Sequence, residues 1–327
     1  MITRRALLFT IIAALLALPR PARTQPAERR YRLGWFSVTG IFSEPHHVAF
    51  VQRLGELGFV EGRNLTIERV HGDNRLEAIT GSSAALGKLK CDVYFAGGGQ
   101  ANLAALTRAD GHTPIVFVAV DFDPIASGDV ASLARPGGRV TGITALQSLL
   151  PAKRLELTKE LFPRIGKVAV FTNEDTTAQL NLIQGTARRL GIALHVVDFK
   201  RPPFDYKAAF ADAAGAKADA LLVLGSGLWV PARRLIQEMA LKARLPTVFH
   251  HAQWVEEGGL MSYGFNFPAM WRRGAEMVAD ILRGAKVSNI PMEQPNAYEL
   301  VFNLKTARAL GIDIPQSLLT RADRVIE

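Results

Sequence analysis

Residues 113–144 read TPIVFVAVDFDPIASGDVASLARPGGRVTGIT, and the order of chemistry along them decides how the rest of the chain is parsed. Pro114 opens a run of six apolar residues, Ile115 to Val120, rich in β-branched side chains and too short for a helix. Such a run predicts a strand buried on both faces, as in a parallel sheet. It stops at Asp121, Asp123 and Pro124, so polar groups gather at the strand's carboxyl end, outside which open α/β sheets bind ligands. A helix-like piece, Ser127 to Leu133, leads into the turn Pro136-Gly137-Gly138. The segment Val140 to Leu146 is the next strand.

Working outward, the same alternation runs upstream. Strands are expected at Arg32–Val38, Asn64–Val70 and Asp92–Ala96. Helices are expected at His47–Leu57, Leu76–Leu89 and Gln100–Ala109, with Gly58 placed where a helix-ending glycine belongs. After Leu146 the series restarts, with strands at Lys167–Thr172, Ala193–Phe199, Ala218–Leu224, Pro246–Phe249 and Leu260–Tyr263. Helices fall at Lys153–Leu161, Thr177–Leu190, Tyr206–Ala214, Pro231–Ala243 and Trp271–Leu282. A last strand, Tyr298–Phe302, and a short helix, Thr306–Leu310, follow. Two successive βαβ series predict two similarly built α/β lobes with parallel sheets. TARRLGI (186–192) returns as TARALGI (306–312), each a helix end closed by glycine, too short an echo to mark a duplication.

The chain has 327 residues, 48% hydrophobic and 21% charged, enough for two globular cores. Its first residues differ: Arg4 and Arg5 precede an uncharged run, Ala6 to Leu18, followed by a Pro-containing polar stretch. That is the form of an export signal, assigned to residues 1–24, with the general secretory route favoured over the twin-arginine one. No later stretch is long enough to span a bilayer, so the exported protein is expected to be soluble. The formal charge of +9 falls to +5 once Arg4, Arg5, Arg20 and Arg23 are removed (9 − 4). It is spread without basic runs, which argues against nucleic acid. The single cysteine, Cys91, reads as a small buried hydrophobe.

Enzyme signatures fail one by one. Gly97-Gly98-Gly99 follows a strand, but Asn102 stands where a dinucleotide loop needs its third glycine. No P-loop exists, and Ser226 in Leu224-Gly225-Ser226-Gly227 lacks the outer glycines of a nucleophile elbow. The pairs His46-His47 and His250-His251 point their rings apart, unlike metal ligands, and read as polar loop residues. No catalytic residue, metal or cofactor is therefore expected. Several strand ends do finish in small or polar residues: 37–39, Gly97–Gln100, Asp121–Asp123, Asn173–Asp175 and Gly225–Gly227. Helix starts at such ends attract anions. Trp229, Phe122, Trp254 and Tyr263 are candidate aromatic walls of a cleft between the lobes.

The stretch 114–144, with LGFVEGRNL (57–65), KRLEL (153–157), NLKTA (303–307), Leu310-Gly311 and Ala322-Asp323, closely resembles ABC-transporter substrate-binding proteins. The likeness is to the type I periplasmic subgroup with tryptophan- and tyrosine-binding members. It implies two Rossmann-like lobes joined by three crossovers, near 145–149, 262–265 and 290–294. Lobe one would be 31–147 with 263–290, and lobe two 148–262 with 291–327. It also implies a monomeric periplasmic receptor that delivers a small organic ligand, an aromatic amino acid by preference, to an inner-membrane permease. Gly98, Gly99 and Gln100 would hold a carboxylate, and Asn173 and Ser226 would close over it. Asp121 or Asp123 would pair with an amino group, and Trp229 or Tyr263 would meet the ligand's body. A sensor for a signalling partner, or a hydrolase on the same fold, are the alternatives. Phe122, Asp129, Arg139 and Glu174 depart from the family's pattern in and around the expected cleft.

Overall fold

The computed structural model describes residues 29–37, 42–72, 76–120, 123–146, 150–295 and 298–327. The expected signal at 1–24, Asp121, Phe122 and part of the first expected crossover lie outside them. Contacts divide the chain after Arg30, and Tyr31–Glu327 form one compact unit.

The first half of that unit builds one sheet. Strands β1 (Tyr31–Ser37), β2 (Leu65–His71), β3 (Val93–Gly98), β4 (Ile115–Val120) and β5 (Val140–Ala145) lie in the order β2-β1-β3-β4-β5, all parallel. Helices α1 (Pro45–Glu56), α2 (Leu76–Gly87) and α3 (Gln100–Ala109) connect them. Ile115 through Ala119 are fully buried, as an unbroken apolar run requires. At Gly142 in β5, φ is +144° and a Cβ would lie 1.9 Å from the Phe117 carbonyl oxygen, so only glycine lets these two strands pair here.

The second half builds a wider sheet. In chain order come α4 (Leu150–Leu161), β6 (Lys167–Asn173), α5 (Thr177–Leu190), β7 (Ala193–Phe199), α6 (Tyr206–Gly215) and β8 (Ala220–Val223). They continue with α7 (Arg233–Lys242), β9 (Thr247–Phe249), α8 (Ala252–Glu256), β10 (Met261–Phe265), α9 (Phe267–Leu282) and β11 (Tyr298–Asn303). The chain ends with α10 (Leu304–Leu310), α11 (Gln316–Leu319) and β12 (Arg324–Ile326). The order is β12-β11-β10-β9-β8-β6-β7, parallel except for the β10–β11 pair. Each sheet has apolar clusters on both faces, which makes each lobe a doubly wound layer structure.

Helix α9 belongs to the first sheet: Met270, Trp271, Ala275 and Val278 pack with Trp35, Phe50 and Phe95. The chain therefore passes from the second sheet to the first between β10 and α9. It returns between 290 and β11. Before that return, Glu293 pairs with β5 through Thr144 N–H to its carbonyl and its own N–H to Gly142 O, both 2.8 Å. Asn266 fastens the passage, accepting from Ala269 N–H at 2.8 Å and donating to Glu299 Oε1 at 2.5 Å. The echoed heptapeptides end their helices identically. Gly191 (φ +67°) and Gly311 (φ +72°) are left-handed, and Ile192 and Ile312 N–H reach back to Ala187 and Ala307.

Two expectations need correction. Ser127–Leu133 is not helical: Asp123 caps a turn at Ile125 and Ala126, and Gly128 (φ +79°) ends it after one revolution. Pro231 sits inside a 3-10 turn, Gly227–Ala232, and α7 begins at Arg233. The short elements α8, α11 and β12 carry too few residues to show a period in sequence. Cys91 is buried in the β1–β3–β4 core, and burial pushes its thiol up to about 12.

Candidate functional site

Segments leaving the strands' carboxyl ends bring the two sheets into contact. After β1, Glu44 takes extended backbone and Pro45 starts α1. After β8, the 3-10 turn delivers Arg233. Its guanidinium donates to Glu44 Oε1 at 2.5 Å across the junction and to Glu257 Oε2 at 2.6 Å on its own side. Glu44 is only 6% exposed, so this ion pair is desolvated as well as hydrogen-bonded.

Beside the ion pair lies a quartet of rings drawn from both lobes. His46, in the first turn of α1, meets Trp271 of α9 at 4.6 Å between centroids and His251 of the second lobe at 5.9 Å. His251 stacks on Phe267 (4.5 Å, 17°), and Phe267 lies 5.7 Å from Trp271. Phe267 and Trp271 are four residues apart, so α9 presents both on one face. Trp271 also covers the glycine end of β3: a Cβ on Gly97 would lie 2.8 Å from its Cζ2. A hollow of about 320 Å³ adjoins the quartet, bordered by Pro45, His251, Gln253, Phe265 and Phe267.

The imidazoles here are held neutral. Burial, reinforced by His47, His251 and Arg233, pushes His46 well below its ordinary value. Burial and Arg154 do the same to His250. Burial brings His251 down to about 4, although Glu44 partly opposes it. His251 heads α8, where its Nδ1 accepts the Gln253 N–H at 3.2 Å. That acceptor role leaves the ring proton on Nε2. His251 Nε2, His46 Nδ1 and Trp271 Nε1 are buried without a hydrogen-bond partner among the described residues.

A second polar group lies at the ends of β6 and β8. Asn173 Nδ2 donates to Ser226 Oγ at 3.0 Å, and Ser226 donates to Asp175 at 3.1 Å. Gln179 clamps the Gly225 backbone, donating to its carbonyl (2.8 Å) and accepting its N–H (3.0 Å). Asn173 and Ser226 are thus brought together.

The other sequence candidates fall elsewhere. Gly98 (φ +130°) and Gly99 lead into α3 with no side chain capping it, and Gly99 and Gln100 are exposed. Asp123 is occupied in capping its own turn. Trp229 is fully buried in the second lobe's own core, donating its indole N–H to Leu224 O (2.8 Å) and packed on Phe199 and Phe204. Trp254 packs on Phe249 and His250 in that lobe. Tyr263 stacks on Tyr298 (5.8 Å) and touches the cores of both lobes, at the passage between them. Of the unusual residues, Asp129 accepts from Ser127 Oγ. Arg139 lies at the amino end of β5, away from the strand ends that make the junction, donating to the carbonyls of Thr107, Asp110 and Thr113. It is a structural clamp, not a cleft residue.

Sequence reasoning passed over His46, His251, Phe267, Trp271 and the Glu44–Arg233 pair. The signal was present in the two histidine pairs at strand ends, but sequence does not say which rings meet across a junction. Among the described residues no group of three or more His, Cys, Asp or Glu is placed to hold a metal ion. No described helix is long and apolar enough to cross a membrane.

Two doubly wound lobes meeting at strand carboxyl ends have the fold of type I periplasmic binding proteins. Residues 48–326 match the family described as ABC transporter substrate binding protein, and the chain belongs to that family. A tyrosine-binding protein of Clostridioides difficile (strain R20291) is 25% identical over 266 residues, 80% of this chain and 75% of that one. A Vibrio cholerae conserved domain protein superposes with a TM-score of 0.79 at 24% identity, covering 91% of this chain and all of that one. A Streptococcus pneumonia ABC domain in complex with L-Trp does so at 0.76 and 21%, with the same coverage. These two structures are alike in fold.

Proposed function

We propose that this chain is the periplasmic solute-binding component of an ABC importer. An N-terminal signal at residues 1–24 exports it, and it works as a monomer that hands a small organic ligand to an inner-membrane permease. The ligand binds between lobe one (31–147 with 263–290) and lobe two (148–262 with 291–327), and an aromatic amino acid is the leading class. The observation that carries this reading is the ring quartet, in which His46, Phe267 and Trp271 from one lobe face His251 from the other. The relatives that bind tyrosine and tryptophan support the ligand class. Asn173, Ser226 and the Gly98–Gln100 helix start supply polar groups, and Tyr263 sits at the hinge. The protein performs no chemistry on its ligand.

A thermal-shift screen of the purified protein against amino acids, aromatic acids and sugars tests this. A ligand that binds the folded state raises the midpoint by mass action. Aromatic amino acids should do so, and Trp271→Ala should abolish the shift. A shift produced by sugars alone, or conversion of any ligand to product, would overturn the reading.

A further inference from the structure

Trp271 and His251 stand on opposite lobes, and each carries a buried N–H that no group among the described residues accepts. Indole nitrogen is a donor only. His251 is a donor at Nε2 because Gln253 N–H occupies its Nδ1. The His46 ring is within reach of both, 4.6 Å from Trp271 and 5.9 Å from His251 between centroids. Folded proteins seldom leave such donors unsatisfied. Trp271 is only 5% exposed, and its Cζ2, one bond from the carbon that bears Nε1, lies over Gly97. Just beyond Gly97, α3 begins with no side chain capping it and no acid in its first turn, so its leading N–H groups are open to an anion.

Resting on the receptor reading, we infer that Trp271 Nε1 and His251 Nε2 are specificity-determining donors for a ligand carboxylate. They grip it from the two lobes together with the amino end of α3. The ring quartet then packs the aromatic body, and the acidic group, rather than the amine, is the part of the ligand that must be present. Because one donor comes from each lobe, both are satisfied only when the lobes are together, which couples carboxylate recognition to closure.

The test compares L-tyrosine and L-tryptophan with tyramine and tryptamine, which lack the carboxylate, by calorimetry on the full protein. Hydrogen bonds to a charged group are worth roughly tenfold to a hundredfold in affinity each. The amines should therefore bind at least about a hundredfold more weakly than the parent amino acids. Trp271→Phe and His251→Phe keep a ring in place and delete one N–H. Each should cost the amino acid about tenfold or more beyond whatever the changed ring costs the matching amine, so the acid-over-amine ratio collapses. An amine that binds as tightly as its parent overturns the inference without any variant. So does an unchanged ratio in both variants, and either result leaves the aromatic receptor reading intact. Failure of both amino acids to bind wild-type protein would remove that reading and the donor assignment with it.

Discussion

Two buried indoles take opposite roles. Trp229 has its N–H satisfied by Leu224 and its ring enclosed by Phe199 and Phe204, whereas Trp271 joins rings from both lobes and has a spare donor. Trp229→Ala should cost about 3–5 kcal/mol in chemical denaturation, as truncation of a large core side chain does. Affinity of the folded fraction should not change, and a variant that kept its stability but lost ligand would place Trp229 in the site. The histidines set a pH dependence. Unfolded imidazoles take up protons below about pH 6.5, while folded His251 resists until about 4 and His46 and His250 are lowered in the same direction. Between those values the unfolded state binds more protons, so stability is full above pH 6.5 and falls as pH drops toward 4. Over the whole span down to pH 4, the share from His251 is on the order of 3 kcal/mol. Denaturation midpoints should decline from pH 7.5 to pH 5, less so in His251→Gln; a flat wild-type profile would contradict neutral burial. Little of this was legible in sequence. Trp229 follows a strand and a glycine turn, as a site residue does, and only the packed structure shows its ring turned inward.

Most elements were readable because their periods are long enough to count. The six-residue apolar run at Ile115–Val120 and the helix-closing glycines at 58, 191 and 311 each matched a local rule. What sequence missed was governed by tertiary partners: the aborted helix after Asp123, the five-residue α8 that presents His251, and the 3-10 turn that delivers Arg233. The interlobe pairing of Glu44 with Arg233 has no sequence signature, since the residues are 189 apart. Its function belongs to the junction as a whole. Glu44→Gln removes the negative partner while Glu257 still neutralises Arg233, so the fold should survive. The cross-lobe grip should weaken, and ligand should leave about thirtyfold faster or more, as for loss of one partner of a buried charged pair in an interface. Stopped-flow dissociation checks this, and an unchanged off-rate would mean the pair does not hold the lobes together around ligand.

At the scale of the molecule, two lobes meet at their strand ends, and short described segments at 263–266 and 290–295 run between them. Glu293 paired to β5, Asn266 bonded to Glu299, and Tyr263 stacked on Tyr298 keep those segments in register. In the proposed receptor such a joint flexes as a hinge, and a ligand touching both lobes favours closure by its differential affinity. The two-lobed plan was legible from alternating strand and helix patterns. The aromatic and imidazole character of the junction was not, because it arises from residues at 46, 251, 267 and 271 that only folding assembles. Titration calorimetry of the intact protein with L-tyrosine and L-tryptophan is the most direct test. One-to-one binding of at least one of them, with the ligand recovered chemically unchanged, is the expected result. No measurable binding of either, or consumption of the bound ligand, would contradict it.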